Sequence, residues 1–107
     1  MRKWLPLMQN GATMRIKWLK AARQNLDEAM QYVAQDDPEA ALRIYEHIRN
    51  RVAQLSRQPA SGRPGRVYAT RELVIEKYPY IVPYRVQGDE IHILRVFHTS
   101  QKPPQSW

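Results

Sequence analysis

The apolar residues of this chain change their spacing once, and that change decides what the chain can become. Between Ala21 and Leu55 they recur every three or four positions: Leu26, Ala29, Met30 and Val33, then Ala41, Ile44, Tyr45, Ile48, Val52 and Leu55. This is the period of a helix that buries one face. From Leu73 onward the period is two, with Tyr80, Val82, Tyr84 and Val86 alternating, followed by Ile91, Ile93 and Phe97. That is the period of a half-buried strand. The segment between them, PASGRPGR at 59–66, holds two prolines and two glycines and continues neither pattern. Helical first and extended second, such a chain is α+β, and the economical packing lays the helices on one face of a sheet.

Finer signals divide the two halves. Asp36-Asp37-Pro38 interrupts the helical half. Asp37 is a good N-cap, Pro38 suits the first helical position, and Glu39 complements the positive end of the helix dipole. Two helices follow, 21–35 and 38 to near 58, joined by a tight turn as an antiparallel hairpin. Ahead of them MRIKWL at 14–19 reads as a short strand. Behind them lie three antiparallel strands, around 73–75, 80–86 and 91–97, with Gly88-Asp89 turning between the last two. Pro83 inside its run calls for a bulge, a strand start or an edge. The expected architecture is an N-terminal strand, an antiparallel helical hairpin and three antiparallel strands forming a small sheet. Residues 14–102 make the domain, 1–13 read as an N-terminal extension with Met14 as a second candidate start, and 103–107 as an irregular tail.

Composition narrows the chemistry. At 107 residues there is room for one domain and no large catalytic scaffold. There is no cysteine, so no disulfide, thiolate nucleophile or cysteine-bound metal. Three scattered histidines make a metal site improbable, and no cofactor is expected. No apolar run approaches a membrane span. The net charge of +7 favours anionic partners. Its distribution is uneven: residues 20–58 are neutral, whereas Arg57, Arg63, Arg66 and Arg71 fall in a stretch with no acid.

With those elements in order, the chain resembles the RelE/ParE superfamily of toxins from bacterial type II toxin–antitoxin modules. MRIKW at 14–18 is similar to the family's opening strand, YVAQDDPEAALRIYEHI at 32–48 to its helical hairpin, and GRPGR at 62–66 with TRELVI at 70–75 to its loop and following strand. YPYIVPYRVQGDEIHILRVFH at 78–98 is similar to its closing hairpin. The pattern is closest to the ParE-like, plasmid-stabilisation subgroup. The resemblance implies a cytoplasmic growth inhibitor neutralised by an antitoxin encoded alongside, with which it forms a hetero-oligomer. ParE-like members bind and inhibit DNA gyrase. The alternative branch consists of metal-free endoribonucleases that cut mRNA on the ribosome.

Individual residues bear on that choice. Cleavage by 2′-hydroxyl attack needs an acid, a base and cations around the phosphorane. His98, at the end of the last strand, is the best acid/base candidate; the alternative is a packed strand-end histidine. Arg95 lies on the opposite face of an ideal strand from His98, and a salt bridge or antitoxin contact is the competing role. Where one nuclease subgroup resembles HRLVY, this chain reads YIVPY, so Ile81 stands where an arginine would meet the phosphate. Arginine is also a poor general base. Glu72 and Glu76 are candidate bases or arginine partners, and Tyr78, Tyr80 and Tyr84 are core aromatics or base-stacking platforms. His47 and His92 are read as a surface and a strand residue without chemistry, and Trp107 as a possible plug for a partner groove. The target-binding surface is therefore expected at Arg63, Arg66, Arg71 and Arg95, with His98 at its edge. In the ribonuclease alternative the catalytic residues are His98, Arg71 and Arg95.

Overall fold

A computed structural model describes residues 13–102 and 106–107. Strand β1 (Arg15–Trp18) leads into helix α1 (Lys20–Ala34) and helix α2 (Pro38–Ala53). A single 3₁₀ turn, Gln54–Ser56, finishes the helical half short of Pro59. Then come β2 (Arg63–Pro64), β3 (Arg71–Ile75), β4 (Tyr80–Gln87), β5 (Glu90–Ile93) and β6 (Phe97–His98). The domain limits proposed at 14 and 102 sit at the edges of the described chain; most of the extension and residues 103–105 lie outside it.

The local signals act where they were read. The Asp37 carboxylate accepts from the Ala40 N–H at 3.0 Å, and Pro38 opens α2. Such a cap stabilises a helix by about 1 kcal/mol. Gly88, at φ +62°, occupies the first position of the two-residue loop between the paired Gln87 and Glu90, where a hairpin favours glycine.

The sheet runs β1-β5-β4-β3-β2, with β6 also pairing β4. All neighbours are antiparallel except β1, which runs parallel to β5, with Ile16 beside Ile91 and Trp18 beside Ile93. The sheet is therefore mixed, because the helical hairpin carries the chain over the sheet between β1 and the rest. One face takes the helices. Ala22, Leu26 and Met30 of α1, Ile48 and Val52 of α2, and Leu55 bury against Leu73, Ile75, Tyr80, Val82, Tyr84, Ile91, Ile93 and Val96.

The last strand does not run straight. Ile93 pairs with Tyr84, and Phe97 pairs with Ile81. Leu94, Arg95 and Val96 thus face only Val82 and Pro83, three residues against two, which is a β-bulge. It reverses the parity of everything after it. Ile91 and Ile93 face the helices, but the next residue to do so is Val96, and His98 then pairs with Tyr80 of the same face.

Candidate functional site

Three of the four expected arginines gather around the segment between α2 and β3, Arg63 on β2, Arg66 beyond it and Arg71 at the start of β3, and each head group has a partner there. Glu72, only 2% exposed, is the hub. Its Oε1 accepts from Arg63 Nη2 at 2.9 Å and Nε at 3.2 Å. Its Oε2 accepts from the Arg66 backbone N–H at 3.0 Å and from Arg66 Nε at 3.2 Å. Burial alone would raise the Glu72 pKa. The Arg66 backbone N–H, the Arg63 side chain and the Arg66 charge outweigh that and hold it below the ordinary glutamate value. Glu72 therefore stays ionised at neutral pH, so it has no proton to give as an acid, and with its basicity lowered and both oxygens held by Arg63 and Arg66 it is a poor base. Glu76, the other candidate, lies exposed.

The near end of the loop is fixed by the core. Tyr84 is fully buried, and its hydroxyl donates to the Pro59 carbonyl at 2.7 Å while accepting from the Gly62 N–H at 2.9 Å. Gly62 passes so close that a Cβ there would stand 2.6 Å from the tyrosine ring. Arg71 Nη1 donates to the Gly62 carbonyl at 2.7 Å and to that of Ala60 at 3.3 Å. Arg63, Arg66 and Arg71 are thus struts of the loop as well as its charge, and the exposed parts of Arg63 and Arg66 face solvent.

Arg95 stands apart from them. It belongs to the bulge, with β4 and β3 lying between it and Arg63 on β2, about three strand spacings or ~14 Å of backbone. Its Nη1 donates to its neighbour's carbonyl, that of Leu94, at 2.9 Å. The bulge does bring Arg95 and His98 to one groove, contrary to the parity of an ideal strand. That groove, about 750 Å³, lies between α1 and the end of the sheet, with Asn25, Ala29, Tyr32 and Tyr80 among its walls. Asn25 holds its floor: the side-chain oxygen accepts the Val96 N–H at 3.2 Å.

His98 meets Tyr80 edge to face at 5.3 Å. Its Nδ1 lies 3.0 Å from the Ser100 N–H, which donates to it, and 2.7 Å from Ser100 Oγ. An Nδ1 that accepts from a backbone amide leaves the proton of the neutral ring on Nε2. Burial raises the Tyr80 pKa. On the other face of the sheet, Ile81 and Phe97 are paired and buried, and Trp107 lies edge-on to Phe97 at 5.8 Å. The remaining histidines are engaged too. His92 Nε2 sits 2.9 Å from Glu90 Oε1, and the His47 ring lies edge-on to Tyr78 at 5.4 Å, so it is half-buried rather than free on the surface. Of the aromatics weighed above, Tyr80 and Tyr84 belong to the core and Tyr78 packs on it. No group of three or more potential metal ligands occurs among the described residues, and no helix there is long and apolar enough to cross a membrane.

Two contributors escaped the sequence reading. Asn25 carried no signal, since its partner is 71 residues away. Tyr68, 96% exposed at the tip of the arginine loop, is the other; its place in a turn between Pro64-Gly65 and β3 was the available hint.

Comparison with known proteins fits this arrangement. Residues 16–103 match the family model described as the ParE toxin of the type II toxin–antitoxin system parDE. The protein Y4kP of Sinorhizobium fredii is 48% identical over 91 residues, covering 85% of this chain and 94% of that one. A chain in the structure of the chromosomal ParDE toxin–antitoxin system from P. aeruginosa superposes with a TM-score of 0.73 at 36% identity, covering 81% of this chain and 97% of the other. A chain of the RelBE2 toxin–antitoxin complex from Mycobacterium tuberculosis shares the fold, with a TM-score of 0.52 at 24% identity, over 80% of this chain and 98% of its own.

Proposed function

Since the chain belongs to the ParE toxin family of type II toxin–antitoxin systems, we propose that it arrests growth by binding and inhibiting DNA gyrase, acting as a ligand and not as an enzyme. The observation that carries this reading is the state of the groups a ribonuclease would need. Arg71 spends its guanidinium on loop carbonyls. Glu72 is an ionised structural hub. The accepting nitrogen of His98 is occupied by Ser100, so the histidine offers an N–H donor and no base. Ile81, on the sheet face away from the helices, offers no cation to a phosphate. What is left is a rigid basic loop suited to recognition.

The antitoxin, encoded alongside and acting in the cytoplasm, takes the groove between α1 and the bulge in this reading. An amphipathic segment would set apolar side chains against Ala29 and Tyr80 and an acidic one against Arg95. Apolar burial supplies most of the affinity, and the arginine adds association rate and register.

A second reading keeps mRNA cleavage, because the bulge gathers Arg95, His98 and Tyr80 into one groove. Two assays separate them: supercoiling by purified gyrase, and mRNA integrity in a ribosomal translation mixture, each with the chain added alone and with its antitoxin. Inhibited supercoiling with intact mRNA supports the gyrase reading. Cleaved mRNA with normal supercoiling overturns it in favour of the ribonuclease.

A further inference from the structure

We propose that Tyr68 is the anchor by which this toxin seats in its protein target, entering an apolar pocket with an acidic rim. The proposal rests on the binding reading above and names the residue that performs it. Tyr68 is 96% exposed, more than any other large apolar residue described; Tyr32, Leu42 and Val86 all lie on helix or strand surfaces. A single exposed aromatic needs no explanation by itself. What sets this one apart is how firmly its backbone is held.

Val67–Thr70 forms a closed turn. The Thr70 N–H donates to the Val67 carbonyl at 3.2 Å, and the Thr70 hydroxyl donates to the same oxygen at 2.6 Å. The Gly65 N–H reaches the Thr70 carbonyl at 2.8 Å, closing the base of the tip. Arg66, next to the turn, is fixed to Glu72 through backbone and side chain. Within the turn Ala69 has φ +66°, the only non-glycine residue with a positive φ among those described. That is the position where glycine or asparagine is the unstrained choice. Alanine there strains the folded state and narrows what the backbone can do, as occurs at ligand clamps. The result is a stiff hairpin tip that offers one rigid ring with two side-chain torsions. An aromatic presented this way loses little entropy on binding.

Charge identifies the kind of partner. The stretch from Arg57 to Arg71 has no acid. Arg63 and Arg66 share one carboxylate, so the tip keeps a net positive charge, and their side chains remain 50% and 39% exposed. Tyrosine and arginine together are the residues that dominate protein–protein hot spots, and acidic groups on the other side would complete them. Single-strand binders instead array several rings along a groove of free cations. Here one aromatic stands on the tip, and the cations beside it already have partners.

The test uses the full chain and three variants: Tyr68→Ala, Tyr68→Phe and Ala69→Gly. Each is measured for thermal unfolding, growth arrest on induction, inhibition of purified gyrase, and binding to a fluorescent single-stranded oligonucleotide. Tyr68→Ala is expected to unfold at the wild-type temperature and to need at least ~10-fold more protein for half-inhibition, with Tyr68→Phe close to wild type. Ala69→Gly is expected to be at least as stable as wild type yet a weaker inhibitor, which a purely structural role for the tip would not produce. Wild-type growth arrest by Tyr68→Ala overturns the proposal. So does a matching loss of oligonucleotide binding, which would make the tip a nucleic-acid surface. Growth arrest that depends on Tyr68 without any gyrase inhibition upholds the anchor and brings down gyrase as its target. Gyrase inhibition indifferent to residue 68 does the reverse.

Discussion

The Leu94 N–H donates to the Pro83 carbonyl at 2.9 Å, at the one place where two residues of β4 face three of the neighbouring strand. In an antiparallel ladder the N–H and C=O of a residue point to the same neighbour. Pro83 has a carbonyl but no N–H, so a regular strand opposite it would leave an acceptor unfilled. The extra residue lets the chain step past that gap. The step turns Val96 and His98 to the helix side and opens the groove that Arg95 lines. A missing hydrogen atom on β4 thus shapes a surface on the next strand.

Asn25 makes the bulge affordable by taking the Val96 N–H. Asn25→Ala should leave that half-buried amide without its protein partner and lower stability by about 1 kcal/mol. Denaturant midpoints check the energy. Hydrogen exchange checks the location: the Val96 amide should lose protection while amides in the middle of β4 keep theirs. Uniform loss across the sheet would mean that Asn25 supports the helix packing instead.

The helical hairpin, its Asp37 cap, the alternation of β4 and the Gly88 turn were all legible in the sequence, since each depends on residues a few positions apart. The site was legible only in composition. That Arg63, Arg66 and Arg71 gather around one loop follows from their closeness in the chain. That Glu72 ties two of them down could not be told from a solvated carboxylate until the pairing of β2 with β3 set Arg63 opposite Glu72. The bulge was admitted by Pro83 but not located, because its position is decided by which strand Pro83 faces. The parallel docking of β1 on β5 joins segments some 75 positions apart, and no local pattern encodes such a pairing.

Glu72 should set the acid limit of the fold. Its folded pKa lies below the ordinary value near 4.5, so its contribution is complete above that value and disappears as pH falls through the lower, folded one. Unfolding free energy should therefore drop as pH decreases below about 4.5. Glu72→Gln should be less stable than wild type at pH 7 by about 1–3 kcal/mol, under the ~3–5 seen when both partners of a broken pair are buried, because Arg63 and Arg66 can rehydrate. The variant's curve should also be flatter in acid. Parallel curves for the two proteins would show that other carboxylates govern the acid limb.

His98 separates binding from chemistry. With Nδ1 accepting from Ser100, His98→Ala should leave growth arrest within a few-fold of wild type. An acid–base role predicts instead a fall of ~10²–10⁴-fold in mRNA cleavage. Ser100→Pro sharpens the comparison, since proline removes the amide that holds Nδ1 and frees it as a base. A toxin that loses activity with His98→Ala and gains it with Ser100→Pro would be an enzyme.

Tyr84 joins the core to the working loop through one oxygen, which donates to Pro59 and accepts from Gly62. Tyr84→Phe keeps the ring and its packing but leaves the Gly62 N–H and the Pro59 carbonyl without that partner. The expected stability loss is about 1–3 kcal/mol, as for buried groups deprived of a hydrogen bond. The loss of activity should be larger than that implies. Arg71 grips the carbonyls of Ala60 and Gly62, so releasing this end slackens the segment that carries Arg63, Arg66 and Tyr68. Half-inhibition should shift even at temperatures where the variant is fully folded by circular dichroism. Gly62→Ala reaches the same contact from the other side, because its Cβ would lie 2.6 Å from the Tyr84 ring and hydroxyl. Matching losses of function in the two variants, with different losses of stability, would assign the effect to loop position. Losses of function that merely track stability would assign it to the core.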